Sequence, residues 1–336
     1  MTTTFDAELT PGARNAVRVC LNVQPSERVT VIADRACEDI AASLAHEIEE
    51  VGARYRAFLL EDVAERPLKG LPAVVADDME QSHVSIFAAQ VQKNELHSRM
   101  QMTDIVNRRR MRHAHMVNIN RQIMLEGMRA DFRKVDRLSA KVMAMVTKAS
   151  RVRARSAAGT DLVADLNPDY RWLKTSGLIS PDKWGNLPGG EIFTSPGNVN
   201  GTFVIDGVVG DYLCDRFGLL GDAPLTAVIR DNRLVEATSE NKDLEDAFWR
   251  YTHTDENSDR VGEFAIGTNI ELRDLIGHIL QDEKFPGIHI AFGDPYGAHT
   301  GANWSSSTHI DVVGTRFDIW VDDEPIMREG RFLVAA

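Results

Sequence analysis

Cysteine is scarce: Cys20, Cys37 and Cys214 are the only three in 336 residues, and they stand far apart. They form no CxxC pair and cannot all pair with one another, which leaves no disulfide framework and fits a reduced, cytoplasmic compartment. All three read as small buried hydrophobes. Long apolar runs are missing too. None approaches the roughly 18 residues of a spanning helix, so no membrane segment is expected. The opening stretch MTTTFDAELTPGARNAV has no apolar h-region and reads as no secretory signal. Positive charge is in deficit: 38 Lys and Arg against 50 Asp and Glu leave a net charge of −12. That balance argues against nucleic acid as the main partner. The one basic cluster, NRRRMRH at 107–113, reads as a solvated helix end. No GxGxxG follows the first predicted strand, where ADRACE stands instead, so no dinucleotide site is expected there. There is no internal repeat and no low-complexity segment.

What is present has the composition of a globular protein, 43% hydrophobic and 26% charged. The length suits two domains, divided at 1–150 and 151–336. In the first half, strand patterns at 28–34, 53–60, 83–90 and 114–120 alternate with helical ones, including 37–52, which stops on Gly52. That alternation predicts βαβ units and a parallel sheet with helices on its faces. Residues 66–74, RPLKGLPAV, read as an exposed connecting loop. A long amphipathic helix at 127–149, with Phe132, Val135, Leu138, Val142 and Val146 on one stripe, bridges the halves. The second half reads as a mixed, mainly antiparallel α+β domain. It includes a hairpin turning at Asp231-Asn232 and helices near 241–253 and 270–283. The fold class is therefore α/β, with a parallel N-terminal domain and a mainly antiparallel C-terminal one.

Four stretches of the second half place an acid or an imidazole among glycines and strand residues. They are GNLPGGEIFTSP with Glu191, VGEFAIGTN with Glu263, GIHIAFGDPYG with His289 and Tyr296, and STHIDVVG with His309 and Asp311. Successive strand side chains alternate faces, so His309 and Asp311 point the same way and Ile310 points away. Three carboxylates and two imidazoles form a plausible ligand set for divalent cations such as zinc, cobalt, manganese or ferrous iron. Each residue has a plainer reading on its own: a hairpin charge, a strand-edge charge, a satisfied core histidine.

The order and wording of these stretches resemble the metallopeptidase family of aminopeptidases T and S. NLPGGEIFTSP, GEFAIGTN, HIAFG with a tyrosine seven residues after its histidine, and the terminal HID all stand in register, as does AAGTDLVADL at 157–166. The resemblance covers residues 114–336 and, more loosely, the N-terminal half. It implies two divalent ions held by Glu191, Glu263, His289, His309 and Asp311. Glu263 would serve as bridging carboxylate or base, and Tyr296 as a hydrogen-bond donor to a developing oxyanion. It further implies a small peptide or amide substrate and a homodimer. The chain is shorter than typical members and closer in length to a related branch, the 2,5-dihydroxypyridine dioxygenases, which use one ferrous ion. That branch replaces the glutamates, whereas Glu191 and Glu263 are both present here. The leading expectation is thus a metallo-aminopeptidase-like hydrolase. An iron-dependent ring-cleaving dioxygenase is the alternative, and a scaffold with a decayed metal site is the third reading.

Overall fold

The computed structural model describes residues 5–210 and 212–336; residues 1–4, part of the stretch read for a leader, and Asp211 lie outside the described residues. Two compact units result. One is the described part of Met1–Arg133 with Gly177–Gly189, the other Lys134–Ser176 with the described part of Gly190–Ala336. This division differs from a single cut at 150 in two places. The boundary falls in the first turn of the long helix, Phe132–Val146. Residues 177–189 also return to the first unit, because Gly185–Asn186 adds a strand to its sheet.

The first unit is a parallel sheet of β1 (Arg28–Ala33), β2 (Arg54–Leu59), β3 (Val84–Ala89), β4 (Arg112–Val117) and the short β8 (Gly185–Asn186), in the order β2-β1-β3-β4-β8. β1 and β3 are apolar almost throughout and buried along their lengths, as strands covered on both faces must be. The helix Glu38–Val51 stops where its sequence says it should, with Gly52 at φ +83° supplying a left-handed cap that a side chain would disfavour. Helical turns at Thr10–Cys20 and a helix at Ala73–Met79 went unread in the sequence, being too short for a clear period.

The strand order reverses between β1 and β3, and the crevice beyond their carboxyl ends is where sheets of this kind take ligands. Here the protein fills it with its own charges. The Arg66 guanidinium lies 2.9 Å from Asp34 Oδ2 and 2.6 Å from Glu95 Oε2, and it donates to the carbonyl of Gln90. Gln90 in turn donates its backbone N–H to Asp34. The side chain of Arg66 is 4% exposed and Leu68 is buried. The exposed loop expected over 66–74 therefore begins as a buried ionic plug, a role that a long-range partner creates and local sequence does not announce.

The second unit is built on two antiparallel sheets. β5 (Arg151–Ser156), β6 (Asp161–Asp165), β10 (Asn198–Ile205), β11 (Leu225–Arg230), β12 (Arg233–Ser239), β16 (Phe317–Val321), β17 (Glu324–Arg328) and β18 (Arg331–Phe332) form the larger. The smaller has the order β15-β14-β13-β9-β7, from β7 (Leu173–Thr175), β9 (Glu191–Thr194), β13 (Val261–Gly267), β14 (Gly287–Gly293) and β15 (His309–Val313). Asp231 and Asn232 both adopt positive φ, +49° and +67°, the geometry of the tight hairpin turn read from sequence. One core joins the sheets and includes Leu138, Val142 and Val146 of the long helix. The helix expected over 270–283 is reduced to Ile279–Asp282. The preceding residues form a loop instead, because the Asp282 carboxylate accepts the backbone N–H groups of Ile276, Gly277 and His278.

Arg66→Met should destabilise the protein by about 3–5 kcal/mol, the cost of leaving buried carboxylates without their cation. Urea unfolding measures it. A change within about 0.5 kcal/mol would mean that residues 66–74 behave as surface loop after all.

Candidate metal centre

The smaller sheet of the second unit has two unlike faces. Ile192, Phe264, Ile266, Ile288, Ile290, Phe292, Ile310 and Val312 point into the core. The alternate positions carry Glu191, Glu263, His289, His309 and Asp311, separated by Ala265, Gly267, Ala291 and Gly293. Register brings the polar residues side by side: Ala291 pairs with Glu263 on one neighbour and with Asp311 on the other, and His289 pairs with Ala265. Two of the small residues admit close backbone: a Cβ at Gly267 would lie 1.9 Å from the Phe285 carbonyl oxygen, and one at Gly293 2.2 Å from that of Thr308. Gly190, just before Glu191, has φ +132°, and a Cβ there would come within 2.6 Å of Asn269 Cβ. That close approach accounts for the second glycine of the PGGE sequence.

All five expected ligands converge. His289 Nε2 is 3.5 Å from Glu191 Oε2 and 3.4 Å from Glu263 Oε1. His309 Nε2 is 3.6 Å from Glu263 Oε2 and 3.5 Å from Asp311 Oδ1. Two three-residue groups result, Glu191–Glu263–His289 and Glu263–His309–Asp311, each with its ligand atoms within 4.8 Å of one another. Glu263 belongs to both and turns one oxygen to each. Two observations fit this set to divalent ions. His289 Nε2 is buried with no hydrogen-bond partner, an orphan aimed at two carboxylates. The nitrogen–oxygen separations are long for hydrogen bonds, yet close to the ~3.4 Å between two ligands of one tetrahedral ion at bond lengths near 2.0–2.2 Å. His309 Nδ1 lies 2.8 Å from the carbonyl of Asp294, which fixes the ring so that Nε2 faces the acids.

Tyr296 stands over this cluster, not within it. Its ring lies 4.3 Å from that of His309, and Phe193 meets it edge-on. The tyrosine adopts φ +50°, an uncommon backbone for a bulky residue, held by a hydrogen bond from its N–H to the Asp294 carboxylate. Beyond it opens a cavity of about 420 Å³ bordered by Tyr296, His299, Trp304 and Ser305. The Arg260 guanidinium packs 3.5 Å from the Trp304 ring centre. The loop leading to His309 is anchored by Asp255, whose carboxylate accepts hydrogen bonds from Ser306 and Ser307.

Sequence reading missed three groups. Glu191 Oε1 accepts from Thr175 Oγ1 at 2.6 Å and from Lys284 Nζ at 2.6 Å, and Lys284 also pairs with Glu283. In sequence, Asp-Glu-Lys at 282–284 looks like a solvated helix end. Its only hint is the apolar Phe-Pro-Gly that follows.

Electrostatics follow from burial and crowding among the protein's own groups. Burial pushes Glu263 up and Glu283 up to about 8. Burial works against the charge on Glu191 as well, but Lys284 and His289 outweigh it and hold that carboxyl low. Asp311 is likewise held low by His309 against its own desolvation. Burial would lower His309, yet Asp311 and Glu263 raise it to about 10.

A sheet face that gathers three carboxylates and two imidazoles around one shared glutamate defines a metal-binding enzyme site. The chain belongs to the family described as thermophilic metalloprotease (M29), which matches residues 115–332. Among solved structures, 2,5-dihydroxypyridine dioxygenase from Pseudomonas putida KT2440 is similar in fold, with a TM-score of 0.70 at 14% identity over 97% of this chain and 96% of that one. Glycerol dehydrogenase from Schizosaccharomyces pombe aligns over 52% of this chain and 35% of its own at 9% identity, with a TM-score of 0.25, too low to carry an argument. No curated protein matches the sequence. No helix among the described residues is long and apolar enough to cross a membrane.

Two outcomes test the centre. His309→Ala and Asp311→Asn should each reduce bound metal, while Ile310→Val, changed on the opposite face, should leave metal intact and cost about 0.5–1.5 kcal/mol. Elemental analysis and melting curves of the three variants decide it, and unchanged metal in the two polar variants would refute the assignment. Proton release is the second readout. With its pKa near 10, His309 carries a proton at neutral pH, and a cation must displace it. Zinc binding should release about one proton or more per chain and tighten as pH rises towards 10. Calorimetry in buffers of different ionisation enthalpy would expose the error if no proton is released.

Proposed function

We propose that the protein is a metal-dependent hydrolase that removes N-terminal residues from small peptides. The observation that supports this most is the pair of three-ligand groups joined at Glu263. Divalent ions bound there would supply a nucleophilic water at neutral pH and polarise a carbonyl. Glu191, Glu263, His289, His309 and Asp311 would hold them, with Glu263 as the bridging carboxylate because its two oxygens face different imidazoles. Tyr296, at the mouth, would orient the scissile carbonyl by donating a hydrogen bond as charge develops on its oxygen. The cavity beside it is of a size to take one or two residues of a peptide, with Trp304 and Tyr296 offering aromatic walls. The resemblance adds homodimerisation to this reading, and the scattered cysteines add a cytoplasmic setting.

A second reading is an iron-dependent ring-cleaving dioxygenase. The whole-chain fold likeness supports it; a one-iron site of two imidazoles and one carboxylate would have to draw His289 together with His309 and Asp311 across the two ligand groups. Retention of both Glu191 and Glu263 weighs towards the hydrolase, since a one-iron site has no use for two further carboxylates.

Elemental analysis of protein purified without added metal, followed by a screen of dipeptides and aminoacyl anilides under nitrogen, separates the two. Hydrolysis should proceed without oxygen; turnover only with ferrous iron and oxygen consumption would reverse the order of the readings. Glu263→Gln should lose at least one metal and slow turnover by roughly 100-fold or more. Near-normal turnover with two ions still bound would remove Glu263 from its role.

A further inference from the structure

Lys284 is completely buried. A buried ammonium is stable only when paired, and this one donates to two carboxylates, Glu191 Oε1 and Glu283 Oε1. The turn that carries it is rigid: Asp282 clamps the loop before it, and the Lys284 N–H donates to the Gln281 carbonyl. Its target, Glu191, therefore has one oxygen doubly engaged, by Lys284 and by Thr175, and only Oε2 turned to His289. Among the described residues, the ion-pair partners of Glu263 and Asp311 are the two imidazoles, with no lysine or arginine in contact.

We propose that Lys284 is a positioning residue that competes with a bound cation for Glu191. This rests on the metal-dependent function proposed above. Two consequences follow from charge alone. An ion held by Glu191, Glu263 and His289 would share Glu191 with a fixed positive charge, and so would be the more weakly held and exchangeable of the two. The ammonium also keeps Glu191 in place when that ion leaves, because it supplies the counter-charge the buried carboxylate needs.

Zinc titration of the metal-stripped full-length protein by calorimetry, with melting temperatures alongside, tests the inference. The wild-type protein should bind in two phases. Lys284→Met should tighten the weaker phase by about tenfold or more and lower the melting temperature of the metal-free protein. Lys284→Gln, which removes the charge but keeps a hydrogen-bond donor, should tighten the same phase. A merely structural pair would weaken binding in both variants, and that result, or unchanged affinities in both, overturns the inference while leaving the metal-dependent function standing. If the wild-type protein takes up no zinc, that function fails and this inference with it. Should Lys284→Met not fold, the direction of change in Lys284→Gln decides the matter alone.

Discussion

Burying carboxylates is the constraint on which the second unit depends. Glu191, Glu263 and Asp311 lie on one face of one sheet, with Glu283 close behind. Carboxylates withdrawn from water repel one another and hold protons unless positive charge is supplied. Three sources supply it here: two imidazoles, one buried lysine, and the divalent ions that the donor set fits. The opposite shifts of Glu191, held low beside Lys284, and Glu263, pushed up among imidazoles alone, show how unevenly the protein's own cations are distributed. Glu263 is the residue left most in need of a metal, and it is the one that belongs to both ligand groups.

Packing makes this arrangement possible. Ala265, Gly267, Ala291 and Gly293 give up side-chain volume on the polar face. On the other face, phenylalanines and isoleucines at alternate positions tie the sheet into the core. The polar residues could not be moved one position along any strand without exchanging these faces. In the first unit the logic is reversed. At the switch point of the parallel sheet, Arg66, Asp34 and Glu95 satisfy one another's charge. Fold alone does not name the reaction in such a chain. A dioxygenase of similar fold and a metalloprotease family that spans most of the chain both match it, so the reaction has to be read from the donor atoms.

Much of this was legible in the residues themselves. Alternation of strand and helix patterns, the Gly52 stop, the Asp231-Asn232 turn and the period-two spacing of His309 and Asp311 all express local rules of backbone and side-chain direction. Local rules act over a few residues, so sequence carries them directly. The five residues proposed as ligands stood out because each sits inside a short motif whose order is shared with a family. What local sequence could not show depends on partners far along the chain. Arg66 looks like a loop residue until Asp34 and Glu95 close on it. Residues 270–278 carry helical periodicity until Asp282 captures three of their backbone N–H groups. Lys284 looks solvated until Glu191, 93 positions away, comes within 2.6 Å of it. The sequence by itself determined the classes of element and the identities of the metal-seeking side chains. Only the tertiary structure decided which charges are buried together, because desolvation and pairing are properties of a place in space and not of a position in the chain.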